Sequence, residues 1–209
     1  MQKFDQLEFG KYYHIFNRGI NSCDLFRNAD NYLYFQHLYE KHIDTIAETY
    51  AWCLMKNHFH LLLRIKDVNE VLPVNTVNPD RVGKSASGSI KVKQPYRYFS
   101  DFFNAYTQAF NKVHNRHGGL FETPFQRIEV DNTSYFRHLV CYIHQNPVKH
   151  GFTDWMAGYP WSSYLNLISI NQTKLKRDVV IGWFNSQTDF IEFHSKEQDF
   201  ERIKNIIIE

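Results

Sequence analysis

Tyr50-Ala51-Trp52-Cys53-Leu54-Met55-Lys56-Asn57-His58-Phe59-His60-Leu61-Leu62-Leu63-Arg64-Ile65 is the stretch on which the fold turns. Two runs rich in β-formers, 50–55 and 58–65, are separated by Lys56-Asn57 alone. So short a join, with Asn as a natural turn residue, makes an antiparallel hairpin. Side chains alternate across a strand, so Phe59, Leu61, Leu63 and Ile65 share one face while His58 and His60 share the other. The apolar set belongs against a helical layer. Two imidazoles then lie side by side on the opposite face.

Working outward, the run 11–17 upstream is a further strand, stopped by Arg18-Gly19. Between it and the hairpin, Tyr32, Phe35, Leu38, Tyr39, His42, Ile43 and Ile46 recur at helical spacing. They predict a helix over 28–48 capped by Asn28 or Asp30. Downstream, 67–94 has no period and includes Gly83-Lys84-Ser85-Ala86-Ser87-Gly88-Ser89. Its second half is basic through Lys84, Lys91, Lys93 and Arg97, and it reads as a solvated loop. Phe99, Phe102, Phe103, Tyr106, Phe110 and Val113 stripe a helix over 95–115 that Gly118-Gly119 ends. A fourth strand is expected at 125–130. A helix capped within 131–134 follows to about residue 145, where Pro147 is expected to stop it. Two short helices, 179–184 and 187–208, complete the tail.

The order β-α-β-β-α-β predicts an α+β fold of the ferredoxin-like, split β-α-β kind. Its antiparallel sheet carries helices on one face and keeps the other free for a site, and an extra helical tail follows. We divide the chain into a main unit over 1–151, with the loop 67–94, and a C-terminal tail over 152–209.

Composition narrows the class without naming a function. The chain has 209 residues, a net charge of +2, 18 Phe, 13 Tyr, 4 Trp and 11 His. No global basic field announces nucleic acid. Cys23, Cys53 and Cys141 are an odd set without paired spacing, which reads as reduced thiols. No run approaches the roughly 18 apolar residues of a membrane span, and Met1-Gln2-Lys3-Phe4-Asp5 does not open a signal peptide. The expectation is a soluble cytoplasmic protein with no membrane partner.

The His-x-His pair is close enough on its strand to share one divalent cation. In the helix after residue 131, Phe136, Leu139, Val140 and Ile143 form the inward stripe, and Tyr142 sits roughly 100° from its centre, a rim position. A phenol with a pKa of about 10 is a poor nucleophile at neutral pH, so it needs a polarised electrophile or a base. If this helix packs beside the histidine strand, Tyr142 and a cation on His58 and His60 meet at one phosphate. Asn146 at i+4 or Gln145 at i+3 then offers a carbonyl oxygen as third ligand.

Several of these segments occur together and in order: Tyr13-His14-Ile15-Phe16-Asn17-Arg18-Gly19, Met55-Lys56-Asn57-His58-Phe59-His60-Leu61-Leu62, Gly119-Leu120-Phe121, Tyr142-Ile143-His144-Gln145-Asn146-Pro147-Val148-Lys149-His150-Gly151 and Trp161-Ser162-Ser163-Tyr164. Over about residues 10–165 the chain resembles the single-tyrosine HUH transposases, in particular the REP-associated tyrosine transposases. The resemblance implies a ferredoxin-like core that cuts and rejoins single-stranded DNA bearing hairpins. It implies Mg²⁺ or Mn²⁺ held by His58, His60 and Asn146, with Tyr142 as the nucleophile that forms a 5′-phosphotyrosine link. Asn146 stands where the insertion-sequence branch commonly has Gln. Such enzymes act as monomers or as homodimers that exchange the tyrosine helix, and both stay open here. Candidate DNA contacts are Arg18, Lys112, Arg116, Arg127 and Lys149. Transesterification conserves phosphodiester energy, in keeping with the lack of a Gly-rich phosphate fingerprint. Two rival functions are a metal-dependent phosphoesterase using water, and a non-catalytic module binding single-stranded nucleic acid on its sheet.

Overall fold

The computed structural model describes residues 6–71, 93–196, 198 and 200–203. The first five residues, the segment 72–92 with Lys84 and Lys91, and the residues after 203 lie outside the described residues; the second tail helix, expected to run to residue 208, ends at Ser195.

The hairpin turns where expected, though its first strand begins at Ala47, inside the stretch expected to be helical. Strands β2 (Ala47–Met55) and β3 (His58–Ile65) pair antiparallel through Lys56-Asn57, with Met55 opposite His58. β1 (Tyr12–Arg18) lies on the other side of β3, and β4 (Gln126–Glu129) pairs with β1. The sheet order is β2-β3-β1-β4 with every pair antiparallel, the split β-α-β arrangement.

The alternation in β3 partitions the core. Phe59, Leu61, Leu63 and Ile65 pack with Tyr32, Phe35 and Leu38 of α1 (Ala29–His42) and with Phe99, Phe102 and Tyr106 of α2 (Pro95–Val113). Asn28 caps α1 by accepting from the Asn31 N–H at 3.1 Å, a contact of about 1 kcal/mol. That helix ends at His42, earlier than its apolar period suggests. Ile43 and Ile46 are fully buried all the same, as the turn that leads into β2. Their burial, not helix continuation, accounts for the spacing.

The opposite face is not open. It is covered by α3 (Thr133–Lys149), whose Phe136, Leu139, Val140 and Ile143 pack on Leu62, Cys53 and Met55. The tail closes over the same layer with α4 (Tyr164–Ile168), α5 (Arg177–Trp183), α6 (Gln187–Ser195) and a 3₁₀ turn, Phe200–Ile203. A register shift between Thr49 and Ala51 turns Tyr50 to this side, where its ring stacks on Trp183. The reason the face is covered is compositional: Tyr50, Cys53, Met55 and Leu62 leave it too apolar for water.

α3 also runs through Pro147 to Lys149. Its end is set by Gly151, at φ 70°, where the Gly151 N–H bonds the Val148 carbonyl and the Phe152 N–H bonds the Pro147 carbonyl. These two bonds form a Schellman close, which satisfies the last carbonyls of the helix. Pro147 sits one turn from the end and forfeits only its own N–H.

Candidate active site

A cleft of about 250 Å³ lies where the ends of β1 and β3 meet the last turns of α3. Its lining includes Arg18, His58, His60, Glu122, Tyr142, Asn146 and His150. The two imidazoles of β3 stand 5.3 Å apart between ring centres and nearly perpendicular, and the Tyr142 ring lies edge-on to His60 at 5.5 Å. These groups come together because β3 alternation puts both histidines toward α3 and the helical period returns Asn146 one turn after Tyr142. All belong to one chain.

The polar atoms of the two histidines are sorted. His58 Nδ1 is 2.7 Å from Asn57 Oδ1, an atom that only accepts, so Nδ1 carries the proton and Nε2 keeps a lone pair. His60 Nδ1 is 3.0 Å from His14 Nε2. Burial, and then the charges of His150 and Arg18, push the His58 pKa down to about 4. Burial, with His14, His58 and His150 behind it, holds His60 well below the usual histidine range. Both rings are neutral at pH 7, the state in which imidazole binds a cation.

Asn146 is almost fully buried, and its Nδ2 donates to the Tyr142 carbonyl at 2.8 Å. The amide group is thereby held by its nitrogen, which leaves Oδ1 as its second polar atom. Gln145, the alternative third ligand, faces elsewhere: its Nε2 donates to the His194 carbonyl of α6. Among the described residues no three His, Cys, Asp or Glu side chains converge as a metal cluster. His58 and His60 could hold a cation together with an oxygen ligand such as the Asn146 amide. Two imidazole nitrogens and oxygen ligands suit Mn²⁺ or Mg²⁺, so the donor set fits.

Tyr142 is more enclosed than its wheel position implies. It is 3% exposed: its ring meets His14 and His60 on the sheet side, and Phe200 from the tail packs edge-on against it at 5.5 Å. Burial raises its pKa, with the Asn146 amide pulling the other way. The phenol is protonated at neutral pH. The ammonium of Lys149 lies 5.9 Å from the centre of the same ring.

The candidate DNA contacts divide. Arg18 lines the cleft and Lys149 borders it. Lys112 sits in the last turn of α2. Arg116 spans the following turn, holding Asn111 Oδ1 and the Gly119 carbonyl at 2.8 Å each. Arg127 lies over the Phe125 ring. These last three do not line the cleft. Sequence reasoning did not single out His14, Asn57, Glu122 or His150. His14, Asn57 and His150 lie within the motifs quoted above, where none of them was given a role, and Glu122 lies outside them.

No family model matches the chain. A curated protein of Haemophilus influenzae, assigned by inference as a REP-associated tyrosine transposase, is 28% identical over 120 residues; the match covers 56% of this chain and 58% of that protein. The chain thus matches somewhat over half the length of this relative. A solved structure described as the REP-associated tyrosine transposase bound to a REP hairpin is 18% identical, with a TM-score of 0.57, over 80% of this chain and 86% of that one. The structural likeness carries the α+β fold. The sequence relative and the solved structure both bear the name of the family that the motifs resemble.

Proposed function

We propose that this protein is a transposase of the REP-associated tyrosine type, which cuts and rejoins single-stranded DNA beside hairpins. The observation that carries this reading is the meeting of Tyr142 and Asn146 from α3 with His58 and His60 from β3 in one cleft. The solved structure with a similar fold is described as bound to a REP hairpin, which supports hairpin DNA as the partner.

In the proposed reaction Tyr142 Oη attacks the phosphorus of a phosphodiester. A P–O bond to tyrosine forms and the bond to the 3′-oxygen of the preceding nucleotide breaks. The phenol gives up its proton, and the departing oxygen gains one to become a 3′-OH. Attack of a 3′-OH on the phosphotyrosine reverses these changes and rejoins a strand. His58, His60 and Asn146 would hold Mg²⁺ or Mn²⁺, which when bound supplies Lewis-acid polarisation of the scissile phosphate. The burial of Tyr142 excludes water from the nucleophile, which favours transfer between strands over hydrolysis. Arg18 and Lys149 provide positive charge for phosphates entering the cleft. Lys112, Arg116 and Arg127 are left as contacts for more distant parts of a hairpin.

The test is a covalent-adduct assay on a denaturing gel, with labelled single-stranded hairpin oligonucleotides and Mn²⁺ or Mg²⁺. A metal-dependent protein–DNA band is expected in the wild type and none in Tyr142→Phe. Cleavage that persists in Tyr142→Phe would indicate a water-using phosphoesterase, and binding without cleavage a non-catalytic module.

A further inference from the structure

Two histidines of β3 in the cleft have the same local arrangement, held by partners from different parts of the chain. His58 has its Nδ1 held by Asn57 Oδ1 at 2.7 Å, and His60 has its Nδ1 held by His14 Nε2 at 3.0 Å. Neither Nε2 has a protein hydrogen bond among the described residues, and both rings line the cleft. For His58 the acceptor-only oxygen dictates which nitrogen is protonated. For His60 the partner is another imidazole, and either ring is able to supply the proton.

The two choices have different consequences. If His14 donates, His60 must carry its own proton on Nε2 and faces the cleft with an N–H, which cannot ligate. If His60 donates through Nδ1, its Nε2 is bare, matching His58. Resting on the cation reading above, we infer that His14 is a positioning residue: it accepts the Nδ1 proton of His60 and so keeps the His60 Nε2 lone pair aimed at the cleft.

His14 is built for a fixed role. It is wholly buried in the middle of β1, opposite Leu62 on one side and Ile128 on the other. Its ring stacks against His60 at 5.2 Å, lies 4.8 Å from Phe16 and meets Tyr142 edge-on at 6.3 Å. Packing on these sides leaves its ring little freedom to turn, and a histidine at the centre of a strand would otherwise be a costly substitute for an apolar residue. Outer partners of this kind set the tautomer and direction of a ligating histidine, and their loss typically lowers metal affinity about 10–100-fold. The coupling through β1 also ties the cleft to the strand at the centre of the sheet, the most constrained backbone available.

The experiment uses the full chain with ¹⁵N-labelled histidine, alongside Mn²⁺ affinity by titration. NMR of the ring nitrogens is expected to find His60 protonated on Nδ1 before metal is added. His14→Leu, which keeps volume but removes the acceptor, is expected to weaken Mn²⁺ binding about 10–100-fold while circular dichroism stays native. His14→Gln places an amide oxygen near the former Nε2 and is expected to recover most of the loss. Wild-type Mn²⁺ affinity in a folded His14→Leu would overturn the proposal. If that variant does not fold, His60 found protonated on Nε2 in the wild type would overturn it equally. A wild type that binds no Mn²⁺, with His60 still protonated on Nδ1, would defeat the cation reading and leave the positioning of His60 standing.

Discussion

Two buried histidine pairs in this protein have the same separation and opposite characters. His14 and His60 approach at 3.0 Å beside the cleft, and His144 and His194 approach at 3.0 Å beneath the tail. In the second pair every nitrogen is used. The Phe190 carbonyl accepts from His194 Nδ1, so His194 Nε2 accepts from His144 Nδ1. His144 Nε2 then accepts from the Ser163 hydroxyl, whose oxygen takes the Trp52 N–H. One arrangement of protons satisfies the whole chain, and it fastens α6 and the approach to α4 onto α3 and the edge strand β2. In the first pair the sequence of bonds stops short at His60 Nε2, which lines a cleft. The difference teaches that a buried histidine is a candidate for chemistry when its anchored nitrogen leaves the other one unspent, not merely when it is buried or paired.

The largest effect expected from this contrast is on reactivity. Removing either cleft imidazole, His58→Ala or His60→Ala, should lower adduct formation about 10²–10³-fold, since each would help stabilise charge at the scissile phosphate. For His58→Ala, only partly buried, denaturant unfolding should show little change. His144→Ala should do the reverse. It leaves Ser163 and His194 without partners in the core, so it should cost about 2–4 kcal/mol of stability, read as a lower urea midpoint. A His144→Ala protein of native stability would erase the distinction between the pairs.

The next effect is in pH. Burial lowers the His194 pKa to about 4 from an ordinary 6.5. The folded state therefore keeps this ring neutral while the unfolded chain takes up a proton below pH 6.5. The contribution is intact above pH 6.5, declines as pH falls and levels off below about pH 4. The loss amounts to about 3 kcal/mol at most for this group. Urea midpoints measured from pH 7.5 to 4 should fall, and His194→Gln should flatten part of that slope. An unchanged slope in the variant would remove His194 from the pH response.

The smallest effect is on DNA affinity. Arg18→Gln and Lys149→Gln should each reduce the salt dependence of single-strand binding by about one ion. Lys196→Gln, whose ammonium is paired with Glu192 on α6, should not. Fluorescence-anisotropy titrations at several salt concentrations separate the three. Equal slopes would move the phosphate path away from the cleft.

The fold was largely legible because its signals are local. The Lys56-Asn57 join, the alternation in His58–Ile65 and the stripe of α2 each act over a few residues, and the structure keeps all three. Pro147 misled for the same local reason: the stop belongs to Gly151, whose positive φ closes the helix, and a proline in the last turn breaks little. Strand alternation put His58 and His60 on one face, but spacing alone left Asn146 and Gln145 open; only with the family resemblance were His58, His60, Tyr142 and Asn146 legible as one set. His14 was not. Nothing within its own neighbourhood of sequence indicates that it will stand beside His60, since that contact depends on the register of β1 against β3.

Sequence alone therefore determined which residues share a face, where the hairpin turns and which residue types are available for chemistry. All follow from side-chain period and backbone sterics. Only the tertiary structure decided that α3 and the tail cover the second face, that Tyr142 is enclosed beneath Phe200 and that Asn146 rather than Gln145 lines the cleft. Only it paired His14 with His60 and closed the His144–His194 chain. The physical reason is that hydrogen-bond satisfaction is a property of buried space, and the partners that fill it are tens of residues apart in the chain.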